Sequence, residues 1–106
     1  MSNQLSGAEA FVRLLQGHDV KHVFGLCGDT SLPYYDALAR LDHGITHILT
    51  RDERSAAYMA DGYARVSGRH GVTIGQNGPG ISNCVTAIAA ASWAHSPVVI
   101  ITPETG

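Results

Sequence analysis

The chain has 106 residues, 44% hydrophobic and only 15% charged, with nine acidic against seven basic side chains for a net charge of −2. That length supports one small core and is too short for a self-sufficient multidomain catalyst. The basic residues are scattered, which argues against a nucleic-acid partner; no apolar run reaches the about 18 residues of a membrane span. The first seven residues lack the basic start of a secretory leader, so a cytoplasmic protein is expected.

In chain order, Ser6 lies three residues before Glu9 in capping-box spacing, and Ala10, Phe11, Leu14 and Leu15 form the apolar stripe of a first helix that ends near Gly17. Residues 20–24 read as a short strand, and Gly25, Gly28, Asp29 and Thr30 as the loop after it. A second helix is expected over residues 32–41, with Pro33 in its first turn. Residues 45–49 form the next strand and residues 50–53 the junction to a third helix, whose Ala57, Ala60, Tyr63 and Ala64 share a buried face and whose exit is bracketed by Gly68 and Gly71. Asp61 is expected to face solvent or to stabilise a neighbouring element. Residues 72–75 read as a third strand, and the cluster Gln76-Asn77-Gly78-Pro79-Gly80 breaks it. A small-residue helix over 81–94 and a strand over 98–102 complete the pattern.

Short apolar strands separated by helices define an α/β protein with three layers, α/β/α, around a mostly parallel sheet. The chain stops just past a strand that should be central, which would leave an edge open. Residues 1–106 are therefore expected to be the N-terminal part of one domain, truncated or split, incomplete on its C-terminal side and with no second domain. No Asp, Glu, Lys or Arg occurs between Val72 and Pro103, so this stretch should be covered by the domain itself or by partners. Cys27 and Cys84 form no CxxC motif and read as two reduced thiols.

Parallel α/β proteins bind ligands beyond the carboxyl ends of their strands, which selects the loops 25–30, 50–53 and 75–80. Gly25-x-x-Gly28 lacks dinucleotide-fingerprint spacing, and the Gly78-Pro79-Gly80 loop lacks the Lys-Ser/Thr of a phosphate loop. Both loops can serve as turns alone. Asp52 and Glu53 stand at a helix start, where capping accounts for acidic residues equally well. The pairs His18/His22 and His43/His47 cross turns and strands and present no metal-binding helix face, so no metal ligand is assigned. His95, between an apolar helix and a strand, is equally compatible with local hydrogen bonding and with catalysis.

Three segments together resemble a known family: Val23-Phe24-Gly25-Leu26-Cys27-Gly28-Asp29, the run from Glu53 through Ala60-Asp61-Gly62-Tyr63-Ala64-Arg65, and Asn77-Gly78-Pro79-Gly80. They look like the N-terminal pyrimidine-binding domain of thiamine-diphosphate enzymes, the group of acetolactate synthases, 2-oxo acid decarboxylases and sulfoacetaldehyde acetyltransferases. The resemblance implies that Glu53 hydrogen-bonds N1′ of the cofactor's aminopyrimidine. A proton shared there favours the imino tautomer, whose neighbouring nitrogen takes the thiazolium C2 proton.

It places Gly78, Pro79 and Gly80 beside the cofactor and Gly28, Asp29, Gln76 and Asn77 near substrate, with Asp29 assisting proton handling as in pyruvate-type decarboxylases. Asp29 points to decarboxylation, whereas Gln76 through Gly80 looks more like the acetyltransferase and acetolactate synthase members. The implied activity is decarboxylation or carbon–carbon bond formation or cleavage on a 2-oxo acid or related small carbonyl substrate. Mg2+ is expected in the complete enzyme on a Gly-Asp-Gly segment that this chain does not contain. The implied partners are a missing C-terminal or separately encoded diphosphate-binding domain and further copies of the complete protein in a homo-oligomer. The isolated chain is expected to be inactive. A noncatalytic assembly or interaction domain derived from the same fold is the alternative.

Overall fold

A computed structural model describes residues 4–105. Local signals start and stop its elements. The Ser6 hydroxyl accepts from the Glu9 N–H at 3.2 Å, and the Ser6 N–H donates to Glu9 Oε1 at 2.9 Å. This reciprocal cap satisfies two orphan donors and opens helix α1, Gly7–Gly17. Strand β1 is His22–Gly25. It starts later than the apolar pattern predicts because the Val20 N–H remains bonded to the Leu15 carbonyl at the helix end, 3.0 Å. A short 3₁₀ turn, Asp29–Ser31, leads into α2, Leu32–Arg40, and β2 follows at Thr46–Leu49.

Helix α3, Glu53–Ser67, ends at Gly68, whose φ of 72° is the left-handed conformation a glycine cap supplies. Strand β3 is Gly71–Ile74 and β4 is Val98–Ile101. Between them the single helix expected over 81–94 is two: α4, Pro79–Asn83, and α5, Val85–Trp93. At the break the Cys84 N–H bonds to the Ile81 carbonyl three residues back, at 3.0 Å, a tightened turn that re-aims the chain.

The four strands are all parallel, in the order β2-β1-β3-β4. Alternate strand residues point to opposite faces. Val23, Val72 and Ile74 pack with Val12 and Leu15 of α1 and Tyr34 and Ala37 of α2. Phe24 packs on the other side against Ala56 and Ala60 of α3. Helix α5 lies beside α3, joined through Ala57, Cys84 and Ala87. The result is the expected α/β/α arrangement. The chain moves one way from β1 to β2 and then back past β1 to β3. Keeping one crossover hand through that reversal requires helices on opposite faces, and it makes the gap between the carboxyl ends of β1 and β3 the topological switch point.

Small residues set how close α3 comes to the sheet. Ala56, Ala57, Ala60 and Ala64 are buried, and a Cβ at Gly71 would run into the backbone carbonyl of Ala60. Asp61 does not face solvent: it is 5% exposed and held by the Arg65 guanidinium at 2.9 Å. The uncharged segment is only partly covered. Trp93 is 89% exposed, and Val85, Ile88 and Val99 are open as well. Cys27 is exposed, Cys84 buried, and both are free thiols. No helix among the described residues is long and apolar enough to cross a membrane.

Candidate functional site

The parallel sheet brings the loops after β1, β2 and β3 to one end. The loop after β2 is tied to β1 by the Thr50 N–H, which donates to the Gly25 carbonyl at 3.1 Å, and it is shaped by the Thr50 hydroxyl, which donates to the Asp52 carbonyl at 3.1 Å. Asp52 is the N-cap of α3: its Oδ1 accepts from the Arg54 N–H at 2.7 Å, and the Arg54 side chain donates to both carboxylate oxygens at 2.9 Å. The Arg54 side-chain and backbone hydrogen bonds hold the Asp52 carboxyl down to about 2. Capping, one of two readings open for Glu53 from sequence, thus falls to its neighbour.

Glu53, the first residue of α3, is half-buried and turned toward α4. Asn83 Nδ2 donates to its Oε1 at 3.0 Å. Its other oxygen, Oε2, faces bare backbone, since a Cβ at Gly80 would lie 3.5 Å from it. The Cys84 thiol sits beneath, 3.5 Å from the Gly80 carbonyl and 3.9 Å from that of Glu53. Burial pushes this thiol's pKa up, and the negative charges of Glu53 and Asp52 push it in the same direction.

A second cluster joins the loops after β1 and β3 across the switch point. Thr30 Oγ1 donates to Asn77 Oδ1 at 3.1 Å, and Gln76 Nε2 donates to the same oxygen at 2.9 Å. Gln76 Oε1 is buried without a partner. The Gln76 side chain occupies the space a Cβ at Gly28 would need, and Gly78 has φ 75°, which favours glycine. Gly80 connects the clusters: a Cβ there would come within 2.8 Å of Gln76 Cβ as well as near Glu53.

The structure therefore brings Glu53, Gly80, Gln76, Asn77 and Gly28 into one neighbourhood. Gly78 and Pro79 are exposed on its rim. Asp29, in the 3₁₀ turn, is exposed, and its carboxylate makes no hydrogen bond among the described residues. Sequence reasoning missed Asn83 and the site contact of Cys84, and it placed Thr30 in a candidate loop without a role. The spacing of Gly80 and Asn83, three residues apart on a helix, was the available signal for the first. Among the described residues no group of three His, Cys, Asp or Glu side chains could hold a metal. An apolar hollow of about 340 Å³, bordered by Phe11, Leu14, Val72 and Val99, lies toward the amino ends of the strands, away from Glu53.

Residues 5–106 match the family described as thiamine pyrophosphate enzyme, N-terminal TPP binding domain, and the chain belongs to it. It is 58% identical over 104 residues to a sulfoacetaldehyde acetyltransferase of Alcaligenes xylosoxydans xylosoxydans, covering 98% of this chain and 17% of that protein. A sulfoacetaldehyde acetyltransferase of Castellaniella defragrans is 55% identical over 103 residues, covering 97% of this chain and 17% of that protein. A probable acetolactate synthase large subunit of Methanocaldococcus jannaschii is 48% identical over 100 residues, covering 94% and 17%. The chain thus spans about 17% of the length of these relatives.

The residues fit the pyrimidine half of thiamine diphosphate. They offer a carboxylate whose Oε2 makes no hydrogen bond among the described residues, a glycine rather than a side chain opposite that oxygen, and an unpaired buried amide oxygen nearby.

Proposed function

We propose that this chain is the pyrimidine-binding part of a thiamine-diphosphate enzyme that forms or cleaves a carbon–carbon bond, or decarboxylates, at a 2-oxo acid or related small carbonyl substrate. The observation that carries the reading is the asymmetry of the Glu53 carboxylate: Oε1 is occupied by Asn83 at 3.0 Å, and Oε2 faces the side-chain-free backbone of Gly80. Glu53 holds a proton against ring nitrogen N1′, acting as a fixed acid–base group. The bound cofactor supplies the electron sink for the substrate's carbonyl carbon. Gly78, Pro79 and Gly80 carry backbone past the ring, and Gly28 and the Gln76–Asn77 amide pair orient the substrate. Asp29, exposed and unengaged by hydrogen bonds among the described residues, is free to move a proton at the rim.

Acetyl transfer or acetolactate-type ligation is favoured over simple decarboxylation, because the names of the relatives described above indicate those activities. Magnesium and the diphosphate are held by a diphosphate-binding domain beyond these residues, in a cytoplasmic homo-oligomer of the complete protein. The test is turnover of the complete protein on 2-oxo acids and sulfoacetaldehyde, with and without thiamine diphosphate and Mg2+. Cofactor-dependent product from one of these substrates is expected. Cofactor-independent turnover, or none on any of them, would reject the reading, and complete inactivity would favour the assembly-domain alternative.

A further inference from the structure

The Glu53 carboxylate meets one short helix at both of its oxygens. Gly80 and Asn83 lie three residues apart in α4 and so share a face. At Oε2 that face presents backbone without a side chain, and at Oε1 it presents an amide donor 3.0 Å away. The break at Cys84 ends α4 directly after Asn83. The bonds from the Cys84 N–H to the Ile81 carbonyl and from the Ile81 N–H to the Gln76 carbonyl, 3.0 and 2.7 Å, fix the turn on which Asn83 sits.

From this arrangement we infer that Asn83 is a positioning residue: by donating to Oε1 it fixes the Glu53 rotamer and leaves Oε2 as the oxygen available to the ring. The inference rests on the role proposed for Glu53. An Asn amide donates without titrating, so it can hold one oxygen without competing for the proton that Glu53 must share. A neutral donor fits the surroundings. The charged and titratable groups about Glu53 are Asp52 and Arg54 on its own element and the Cys84 thiol from the α4–α5 break. Asp52 and Arg54 are already paired with each other. None of the three donates to Oε1.

The test uses the complete protein. Thiamine diphosphate binding to the apo form is measured by titration calorimetry across pH, alongside kcat, KM and Tm, for wild type, Asn83→Asp, Asn83→Ala and Glu53→Gln. Asn83→Asp is nearly isosteric, but its ionised form cannot donate, and it repels a carboxylate at Oε1. Both Asn83 variants are expected to keep the carbonyl substrate's KM while kcat falls about tenfold to a hundredfold, the loss expected for a hydrogen bond to a charged group. In Asn83→Asp the acid limb of the binding profile should also move to higher pH, because a like charge favours protonated Glu53.

Wild-type cofactor binding and kcat at every pH in both Asn83 variants, with Glu53→Gln inactive, would overturn the inference and leave the Glu53 reading standing. A parallel loss of Tm, affinity and turnover in Asn83→Asp without a displaced limb would assign Asn83 a structural role and also overturn it. Full activity in Glu53→Gln would remove the underlying reading, and this inference with it.

Discussion

Asp52 and Glu53 are adjacent acids at one helix start, and the structure separates their tasks. Asp52 caps α3 and pairs with Arg54; Glu53 turns away to Asn83 and Gly80. Sequence alone left both open to the same explanation, since either acid suits the positive end of a helix. Only the tertiary approach of α4 distinguishes them. The division has a pH signature. The Asp52 carboxyl titrates at about 2 when folded, below the 3.8 of the free side chain. A depressed folded value means the stabilisation is complete above about pH 4 and is lost as pH falls toward 2. Asn can still cap a helix but carries no charge. Asp52→Asn is therefore expected to flatten the loss of stability between about pH 4 and 2, measured by urea midpoints of the complete protein at each pH. An unchanged slope would show that Asp52 is not set by Arg54 as the structure has it.

The elements were legible where local chemistry dictates them. The Ser6–Glu9 capping box, Pro33 in the first turn of α2 and the glycine exit of α3 at Gly68 each match a sequence signal with a structural consequence. The division of the last helix was not legible, because Cys84 is compatible with an uninterrupted helix. Its position is decided by contacts distant in sequence, the thiol lying against the carbonyls of Glu53 and Gly80. Asn83 escaped notice for the same reason: its importance lies in a partner 30 residues away.

Gly71 could be placed near a helix exit, but not as the point where α3 touches β3. Gly71→Ala would force a methyl group into the Ala60 carbonyl. A destabilisation of about 1–3 kcal/mol is expected from such overpacking, measured as a lower urea midpoint with an unchanged slope. An unaffected midpoint would show that α3 can lift from the sheet at no cost.

At the scale of the molecule, alternating helices and short apolar strands announced the layers and the end of the sheet at which the loops gather. They could not reveal the order β2-β1-β3-β4, which depends on pairing between distant segments. That order sets the β1 and β3 loops side by side, where Thr30 bonds to Asn77 across 47 residues of chain. Of the two ways the uncharged segment was expected to be covered, cover by the domain itself is only partial, since Trp93 is 89% exposed within these residues.

The site has the same partial character: an acid with one oxygen bonded to Asn83 and the other toward Gly80 is present, and no group of three metal-ligating side chains accompanies it among the described residues. The 106-residue chain alone is accordingly expected to show no thiamine-diphosphate-dependent turnover on the substrates that the complete protein accepts. Turnover by the chain alone would show that it carries a complete site.

The most direct measurement is kcat of the complete protein with saturating thiamine diphosphate and Mg2+, compared between wild type and Glu53→Gln. Glutamine keeps the size of the side chain and can still meet a neighbour, but it cannot exchange the proton. A fall in kcat of about a hundredfold or more is predicted, the usual scale of acid–base catalysis by a positioned group. Wild-type kcat in the glutamine variant would contradict the account.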